Sequence, residues 1–405
     1  MAPLKQKQVV KVEVSPTEAF KGLEAANDNN AEIRPKIISS ADLVRGFVPP
    51  DYFLDGVAQK GFIYSMTAAT GTGKTAVLLL IAQMAAEGGE LAGREVSKGR
   101  VVYFAGENPD DVTMRWIGMA HETGFDMDAI DVHFITERFS VPDAIAAISA
   151  QVEAIGGADL IVVDTSAAYF HGGDENSNTE LGKHARDLRA LTTLPGHPCV
   201  MVACHPVKNA QNENLLPRGG GAFIAEVDGN LTLAKSDGII KMHWQGKHRG
   251  PDFEPLTLEL KTITAPTLVD SRGRSIPTVM AQALSKGEAT ALSSRSRRDE
   301  DDVLVYIDLD PKISLNGIAE RAGWKNSAGD ADKRRAQRAV EKLKDSKLVE
   351  FKARKWKVTA AGSEVVQDVK AERHREEHIL KFAARNSGKS TEDAWRNGGY
   401  GGRDY

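Results

Sequence analysis

The chain has 405 residues, of which 41% are hydrophobic and 27% are charged, and its formal net charge at pH 7 is −4. This length exceeds what one hydrophobic core usually holds, and the composition excludes a disordered or fibrous protein. No apolar run approaches the ~20 residues that span a bilayer, and the N-terminus lacks the apolar core of a signal peptide, so we expect a cytoplasmic protein without a membrane partner.

The first 36 residues are polar and mixed in charge, which predicts a flexible arm. From residue 37 to residue 264, apolar runs alternate with helical stretches, the pattern of an α/β domain with a mostly parallel sheet. The runs are continuous rather than alternating, which suits strands covered on both faces. The predicted strands are Phe62–Met66, Arg100–Ala105, Val132–Ile135, Leu160–Val163, Val200–Cys204, Gly229–Ala234 and Ile239–Trp244. A turn signal at residues 235–238 predicts that the last two form an antiparallel hairpin.

The two cysteines, Cys199 and Cys204, lie on one of these apolar runs. Since they are five positions apart, their side chains would face opposite sides of a strand. This spacing argues against a disulfide between them and against a metal shared with the nearby His197 and His205. We therefore expect two reduced cysteines in the core.

The segment Ala68–Thr75 reads Ala-Ala-Thr-Gly-Thr-Gly-Lys-Thr, which differs from the phosphate-binding pattern G-x-x-x-x-G-K-[ST] only in its first residue. The two glycines would let successive backbone N–H groups point at phosphate oxygens, while Lys74 reaches the β- and γ-phosphates and Thr75 ligates Mg²⁺. A strand precedes the segment and an apolar helix follows it, as the motif requires, so a chance glycine-rich turn is the weaker interpretation. We predict that ATP and Mg²⁺ are bound by Ala69, Thr70, Gly71, Thr72, Gly73, Lys74, Thr75 and Ala76.

Two carboxylates follow predicted strands. Asp164 ends an apolar strand in the manner of a Walker B aspartate and would lie near the Mg²⁺ held by Thr75. No glutamate follows Asp164 directly, so we expect Glu107, just past another strand, to orient the attacking water. The alternative is that Glu107 or Asn108 only caps the next helix. On that helix, Arg115 would stack on adenine, touch a phosphate or lie on the surface.

The C-terminal part of the chain changes in character. Residues 265–300 contain prolines, a Ser/Arg cluster and little periodicity, which predicts a linker. Residues 301–362 predict a small helical domain, and residues 363–405 a charged helix and a disordered glycine-rich tail. Residues 333–357 hold eleven Lys and Arg against three Asp and Glu.

A helix near Asp332–Asp345 would place Arg334, Arg338 and Lys342 on one face, and a basic hairpin follows it. This order of helices and hairpin resembles a winged helix-turn-helix domain. The resemblance implies DNA contacts by these three residues and by Lys355 on the hairpin. The alternative is a winged helix that contacts protein and leaves its basic face solvated.

Three stretches resemble RecA-type P-loop ATPases related to the RepA-like hexameric replicative helicases. They are Gly106–Val112 with Arg115, Ile161–Thr165 with Asp174–Asn176, and Ala203–Lys208 with Arg218–Phe223. The resemblance covers residues 40–260 and implies an α/β, RecA-like core, a homo-oligomeric ring, in this family a hexamer, and action on single- or double-stranded DNA. It also implies that Glu107 is the catalytic base and that His205 senses the γ-phosphate. A capping or solvent-facing His205 is the alternative.

Two further basic elements take their roles from this resemblance. Lys247 and Arg249 resemble the Lys-x-Arg element that such helicases extend into the ATP site of the neighbouring subunit, with a solvated loop as the alternative. The polar loop from Pro206 to Ala222 would line the central channel, with Lys208 and Arg218 on DNA phosphates.

The sequence thus predicts an ATP-dependent DNA helicase or a replication-associated motor ATPase. Two alternatives stand beside it. One is an ATP-switched regulator or recombination mediator without unwinding activity. The other is a DNA-binding adaptor with a degenerate ATP site.

Overall fold

The computed structural model describes residues 36–387, apart from 175–176, 237 and 327. The boundary between two compact units falls between Pro49 and Pro50. In the described part of the first unit, one short helix, α1 (Ser40–Val44), buries no side chain, and the hydroxyl of Ser39 caps it by accepting a hydrogen bond from the backbone N–H of Asp42. The predicted flexible arm lies almost wholly outside the described residues.

The described part of the second unit combines strands and helices. Its strands are β1 (Tyr52–Leu54), β2 (Ala58–Gln59), β3 (Ile63–Thr67), β4 (Gly89–Leu91), β5 (Arg94–Val96), β6 (Val101–Phe104), β7 (Val132–Ile135), β8 (Leu160–Val163), β9 (Cys199–Cys204), β10 (Gly229–Ser236), β11 (Ile239–His248), β12 (Leu256–Ile263), β13 (Thr278–Ala283), β14 (Val349–Lys352) and β15 (Lys355–Val358). Its α-helices are α2 (Lys74–Glu87), α3 (Pro109–Thr123), α4 (Val141–Ala154), α5 (Asn178–Arg189), α6 (Gly220–Glu226), α7 (Lys286–Leu309), α8 (Leu315–Arg321), α9 (Lys333–Asp345) and α10 (Ala360–Ser387).

A large sheet, ordered β13-β12-β11-β10-β3-β9-β8-β6-β7, forms the centre of this unit. The six strands from β10 to β7 in this order are parallel, and β11, β12 and β13 continue the sheet as antiparallel strands. The seven predicted strands and the predicted hairpin are confirmed. The parallel strands place all their carboxyl ends at one edge, where ligands bind in sheets of this kind.

Helices cover both faces of the sheet, and each face has its own hydrophobic cluster. Neighbouring residues on a strand belong to opposite clusters, as Tyr103 and Phe104 do. Cys199 and Cys204 are also divided between the two clusters, and both are buried and free. Burial raises the pKa of both thiols. The expectation of reduced core cysteines agrees with this arrangement.

The segment that we expected to be a linker, residues 265–300, holds regular structure. It contains strand β13, which pairs with β12 over six residue pairs from Leu258–Ala283 to Ile263–Thr278, and more than half of α7. A capping box between Ser285 and Glu288 starts this helix. The two prolines and the Ser/Arg cluster indicated a loop in the sequence. The cluster instead lies within α7.

Helices α7 to α10 and the β14–β15 hairpin enclose a third hydrophobic cluster, which includes Leu304, Ile318, Trp324 and Leu343. Strands β1, β2, β4 and β5 form a small antiparallel sheet that the sequence did not predict. Within the described residues, no helix combines the length and the apolar character that crossing a bilayer requires. The predicted glycine-rich tail lies outside the described residues.

Candidate nucleotide-binding site

The loop between β3 and α2 has the backbone shape of a phosphate-binding loop. Helix α2 begins directly after Gly73, whose φ of +107° lies in the left-handed region that favours glycine. A Cβ atom at Gly73 would lie 2.7 Å from the side chain of Leu260. Because α2 is apolar on nearly all sides, it is buried and holds its N-terminus at this loop. The N–H groups of that terminus can bind anionic oxygens.

Ala68 stands where the motif has its first glycine, and its side chain is fully buried. Its carbonyl accepts a hydrogen bond from Nζ of Lys74 at 2.8 Å. Burial lowers the pKa of Lys74, whereas the negative charges of Asp164 and Glu107 act in the opposite direction. Alanine therefore fits this position, and the ammonium group of Lys74 lies within electrostatic reach of both carboxylates.

Asp164 follows β8 and has only 2% of its surface exposed. Its Oδ2 accepts a hydrogen bond from the hydroxyl of Tyr103 at 2.8 Å, whereas its Oδ1 has no hydrogen-bond partner among the described residues. Burial raises the pKa of Asp164, and the hydroxyls of Tyr103 and Thr75 oppose this rise. A buried carboxylate oxygen without a partner is costly unless a cation reaches it. Mg²⁺ fits this environment, because the oxygens of Asp164 and Thr75 are the ligands that it prefers.

Glu107 lies between β6 and α3, and its backbone N–H donates to the carbonyl of Asp164 at 3.2 Å. The side chain of Arg138 donates to the carbonyls of Gly106 and Glu107 at 2.5 and 3.0 Å, which fixes the backbone of this turn. The side chain of Asn108 caps α3 by accepting from the backbone N–H of Asp111 at 3.2 Å. Asn108 rather than Glu107 is thus the helix cap, and Glu107 is exposed toward the cleft.

These residues surround one cleft of about 330 Å³, within the size range of small-molecule sites. Six of the eight predicted loop residues line it, together with Glu107, Asp164, Arg115 and His205. The other two, Ala69 and Thr72, hydrogen-bond to each other through their backbones at 3.2 Å. Leu260 and Val279, on the antiparallel strands β12 and β13, are also part of the wall. The sequence did not identify these two residues, because their strands were not assigned to the sheet around the loop.

Arg115 lies in this cleft with its guanidinium already engaged. Its Nε pairs with Asp111 at 2.7 Å, and its Nη1 donates to the carbonyl of Val279 at 2.9 Å. Arg115 therefore ties α3 to β13, which places the β12–β13 extension beside the loop. Stacking on adenine, contact with a phosphate and a surface position stay predictions for Arg115.

His205 follows β9 and lies in the cleft, and its carbonyl accepts a hydrogen bond from the backbone N–H of Arg218 at 2.8 Å. Arg218 and His205 also border a smaller cavity with Phe170 and Phe223. Lys208 is exposed on the loop between them. The structure thus places Arg218 at the smaller cavity and Lys208 on the loop surface, and their predicted contacts with DNA stay predictions.

Side chains from the neighbouring strands order this loop. Gln245 accepts from the backbone N–H of Leu215 at 2.6 Å and donates to the carbonyl of Asn212 at 2.7 Å. Asn230, buried on β10, donates to the carbonyl of Leu215 at 2.9 Å. The loop is therefore attached to β10 and β11, a contact that its polar sequence did not indicate.

Lys247 and Arg249 lie at the opposite edge of the sheet, since β11 runs antiparallel to β10 and His248 pairs with Gly229 at the start of that strand. Nζ of Lys247 donates to the carbonyl of Ala225 at 2.8 Å, at the end of α6. Nε of Arg249 pairs with Asp228 at 3.1 Å. The structure does not bring these two cations to the cleft of their own chain.

The basic face of α9 is only partly open. Arg334, Arg338 and the hairpin residue Lys355 are exposed. Nζ of Lys342, by contrast, contacts the hydroxyl of Ser296 at 2.7 Å and the carboxylate of Glu300 at 2.8 Å, both on α7. Lys342 therefore holds two helices together, and helical spacing alone did not reveal this because α7 was expected to be a linker.

Part of the chain is similar to known proteins. Residues 31–211 match the model of a family described as an AAA domain. A search of curated proteins gives no match. One similar solved structure is a KaiC-like protein from the hyperthermophilic archaeon Pyrococcus horikoshii, with a TM-score of 0.37 and 16% sequence identity, covering 57% of this chain and 93% of that one. The family match and the P-loop at the end of β3 together support a P-loop ATPase domain in this part of the chain.

Proposed function

We propose that this protein hydrolyses ATP at the interfaces of a ring of identical subunits and uses the energy to act on DNA, as a helicase or a replication-associated motor. The observation that supports this most is the convergence of Lys74, Thr75, Asp164 and Glu107 on one cleft. Phosphoryl transfer to water requires a cationic group that binds the phosphates, two oxygens that bind the metal and a carboxylate that orients the water.

Each of these residues has a distinct role in the proposed reaction. The loop N–H groups and Lys74 bind the β- and γ-phosphates, and the oxygens of Thr75 and Asp164 hold Mg²⁺. When bound, Mg²⁺ neutralises phosphate charge. Glu107 orients the attacking water and accepts its proton, and His205 contacts the γ-phosphate from the end of β9.

The cations at the far edge of the sheet act on a second subunit in this proposal. Lys247 and Arg249 cannot reach the cleft of their own chain across the sheet, but a neighbouring copy can present its cleft to them. Positive charge there stabilises the transition state of phosphoryl transfer. Arg334, Arg338, Lys355, Lys208 and Arg218 are the proposed DNA contacts, through phosphate charge rather than base recognition.

Substitution of Lys74 tests the proposed ATPase. We expect Lys74→Ala to abolish DNA-stimulated ATP hydrolysis, because the γ-phosphate loses its cation. Lys286→Ala, which removes an exposed lysine at the start of α7, is the matched control and should hydrolyse ATP normally. Unchanged hydrolysis in Lys74→Ala would contradict the proposal.

A second candidate is an ATP-switched DNA-binding regulator or recombination mediator that does not unwind DNA. The engagement of Lys342 by Glu300 and of Arg335 by Asp299 favours it, because fewer cations on α9 remain for gripping a duplex. Two measurements separate the motor from the regulator. They are strand displacement on forked DNA and the size of the protein assembly with and without ATP. Unwinding by a hexamer supports the motor, and hydrolysis without unwinding supports the regulator.

A further inference from the structure

Asp228 connects α6 to β10 and is almost fully buried, with 4% of its surface exposed. Its Oδ1 lies 3.1 Å from Nη2 of Arg189 and 3.1 Å from Nε of Arg249. Its Oδ2 accepts a hydrogen bond from the backbone N–H of Ile63 at 3.0 Å. One buried carboxylate is thus shared by two arginines and the first residue of β3.

The backbone around this carboxylate is equally constrained. The backbone N–H of Arg249 donates to the carbonyl of Asp228 at 2.9 Å, and that of Asp228 donates to the carbonyl of Ile63 at 2.8 Å. Arg189 also donates to the carbonyl of Glu226, at the end of α6. The segment that follows β11 is therefore attached at both backbone and side chain to the parallel part of the sheet.

The contact with Asp228 uses only part of the guanidinium of Arg249. Its side chain remains 60% exposed, whereas that of Asp228 is 6% exposed. A guanidinium has five N–H donors, and Asp228 engages Nε, which leaves the terminal N–H groups for another acceptor. Two arginines on one carboxylate also keep a net positive charge, so an anion is still attracted.

We propose that Asp228 is a positioning residue, which fixes the Arg249 guanidinium so that its terminal N–H groups meet the γ-phosphate in a neighbouring subunit. This inference rests on the proposed action of Arg249 across a subunit interface. A long arginine side chain loses considerable rotamer freedom when it binds, and a buried carboxylate that restrains it in advance lowers that cost.

The test is Asp228→Asn, which keeps the size of the side chain. The amide can accept from the N–H of Ile63 only by turning its NH₂ group toward the two arginines, so the hold on Arg249 is lost. We expect kcat for ATP hydrolysis to fall roughly tenfold or more while KM for ATP changes little. Asp270→Asn, which breaks a carboxylate–arginine pair with Arg274 on an exposed loop, is the matched control.

Mixing subunits separates a positioning role from a structural role within the same chain. Lys74→Ala subunits cannot hydrolyse ATP but carry an intact Asp228 and Arg249. When they are added to Asp228→Asn subunits, hydrolysis per Asp228→Asn chain should recover, because the intact arginine acts on the neighbouring cleft. A loss that Lys74→Ala subunits do not restore would mean that Asp228 acts through β3 on its own P-loop, which overturns the inference.

The same mixture made with Arg249→Ala subunits tests the proposed function independently. If Lys74→Ala subunits restore hydrolysis to Arg249→Ala subunits but not to Asp228→Asn subunits, only the role of Asp228 is rejected. No recovery for Arg249→Ala rejects the action of Arg249 across the interface, and the role of Asp228 with it. Should Asp228→Asn lower the unfolding temperature, Arg249→Lys probes the same contact while leaving the Ile63 hydrogen bond intact. Full activity of Arg249→Lys would overturn the inference.

Discussion

The hydroxyl of Tyr103 donates a 2.8 Å hydrogen bond to Oδ2 of Asp164, and both side chains are buried. This bond leaves Oδ1 of the carboxylate as the oxygen without a partner among the described residues. Tyr103 therefore orients the proposed Mg²⁺ ligand from behind, a role of the kind that partners of metal ligands commonly play.

Tyr103→Phe should raise the Mg²⁺ concentration needed for half-maximal hydrolysis by roughly tenfold. Removing the donor leaves Oδ2 buried and unpaired, and it raises the pKa of Asp164 further, which disfavours the ionised ligand. A Mg²⁺ titration of ATP hydrolysis measures the effect. Tyr64→Phe, whose hydroxyl accepts from the backbone of Gln59 away from the cleft, is the control, and equal Mg²⁺ requirements in both variants would contradict the prediction.

Glu107→Gln should lower kcat by roughly 10²- to 10³-fold while ATP still binds. The amide keeps the shape of the side chain but cannot accept the proton of the attacking water. Single-turnover hydrolysis and equilibrium ATP binding separate chemistry from affinity. Asp110→Asn, which changes an exposed carboxylate on the first turn of α3, should leave kcat within a small factor of the unmodified protein.

Gly73→Ala should weaken nucleotide binding, for two separable reasons. The new Cβ would lie 2.7 Å from Leu260, and the φ of +107° is strained for any residue with a Cβ. Adding Leu260→Ala removes the contact but not the strain, so the double variant should recover little affinity. Full recovery in an ATP-binding titration would show that backbone conformation at Gly73 is unimportant.

The free energy of unfolding should decrease as the pH falls from 6.5 toward 4, in part because of His184. Burial lowers its pKa from 6.5 to about 4, although the nearby carbonyl of Ser166 opposes the shift. In this window the unfolded chain binds a proton on His184 that the folded chain does not, so acid favours unfolding, by up to about 3 kcal/mol.

Denaturant unfolding at several pH values, compared between the unmodified protein and His184→Gln, isolates this contribution. Both proteins contain the other titratable groups, so the contributions of these groups to the pH dependence cancel in the comparison. One of them is Asp301, whose pKa is raised to about 6, so that it stabilises the folded chain as the pH falls. The unmodified protein should show the steeper loss of stability between pH 6.5 and 4. Identical slopes would mean that His184 is not the group responsible.

On the C-terminal helices, exposed and engaged cations should behave differently. Arg334→Ala combined with Arg338→Ala should weaken DNA binding and reduce the slope of log affinity against log salt by about 2, near one unit per lost phosphate contact. Lys342→Ala, which removes the contact with Glu300, should chiefly lower the unfolding temperature. DNA titrations at several salt concentrations measure the salt slope, and thermal unfolding measures the stability. A salt slope that only Lys342→Ala changes would contradict the assignment of Arg334 and Arg338 to DNA binding and of Lys342 to stability.

The parts of the site that the sequence revealed are those in which residue type and spacing impose the chemistry. Gly73, Lys74 and Thr75 are required by the backbone path and ligands of phosphate binding, and Asp164 by its place after a buried strand. The sequence did not reveal Tyr103, which is one apolar-looking strand residue among several. Its hydroxyl matters only because β6 and β8 are neighbours in the sheet.

The unpredicted parts of the fold depend on contacts between distant segments. Strand β13 follows two prolines and pairs with β12, so its identity comes from the partner strand and not from its own residues. Lys342 was placed on a basic face by helical spacing, but its partner Glu300 lies in the stretch that was expected to be a linker, as does Val279, the partner of Arg115. Local patterns could not supply these pairings.

The reversal of strand direction between β10 and β11 has a consequence for assembly. Each copy has a cleft at one edge of its sheet and Arg249 at the other, so in the proposed ring each copy presents its Arg249 edge to the cleft edge of the next copy, head to tail. An open row always leaves one terminal cleft without an arginine, whereas a closed ring leaves none. ATP hydrolysis per chain would then rise as rows lengthen and be greatest in closed rings. Dilution would separate the copies and abolish hydrolysis while every chain is still folded.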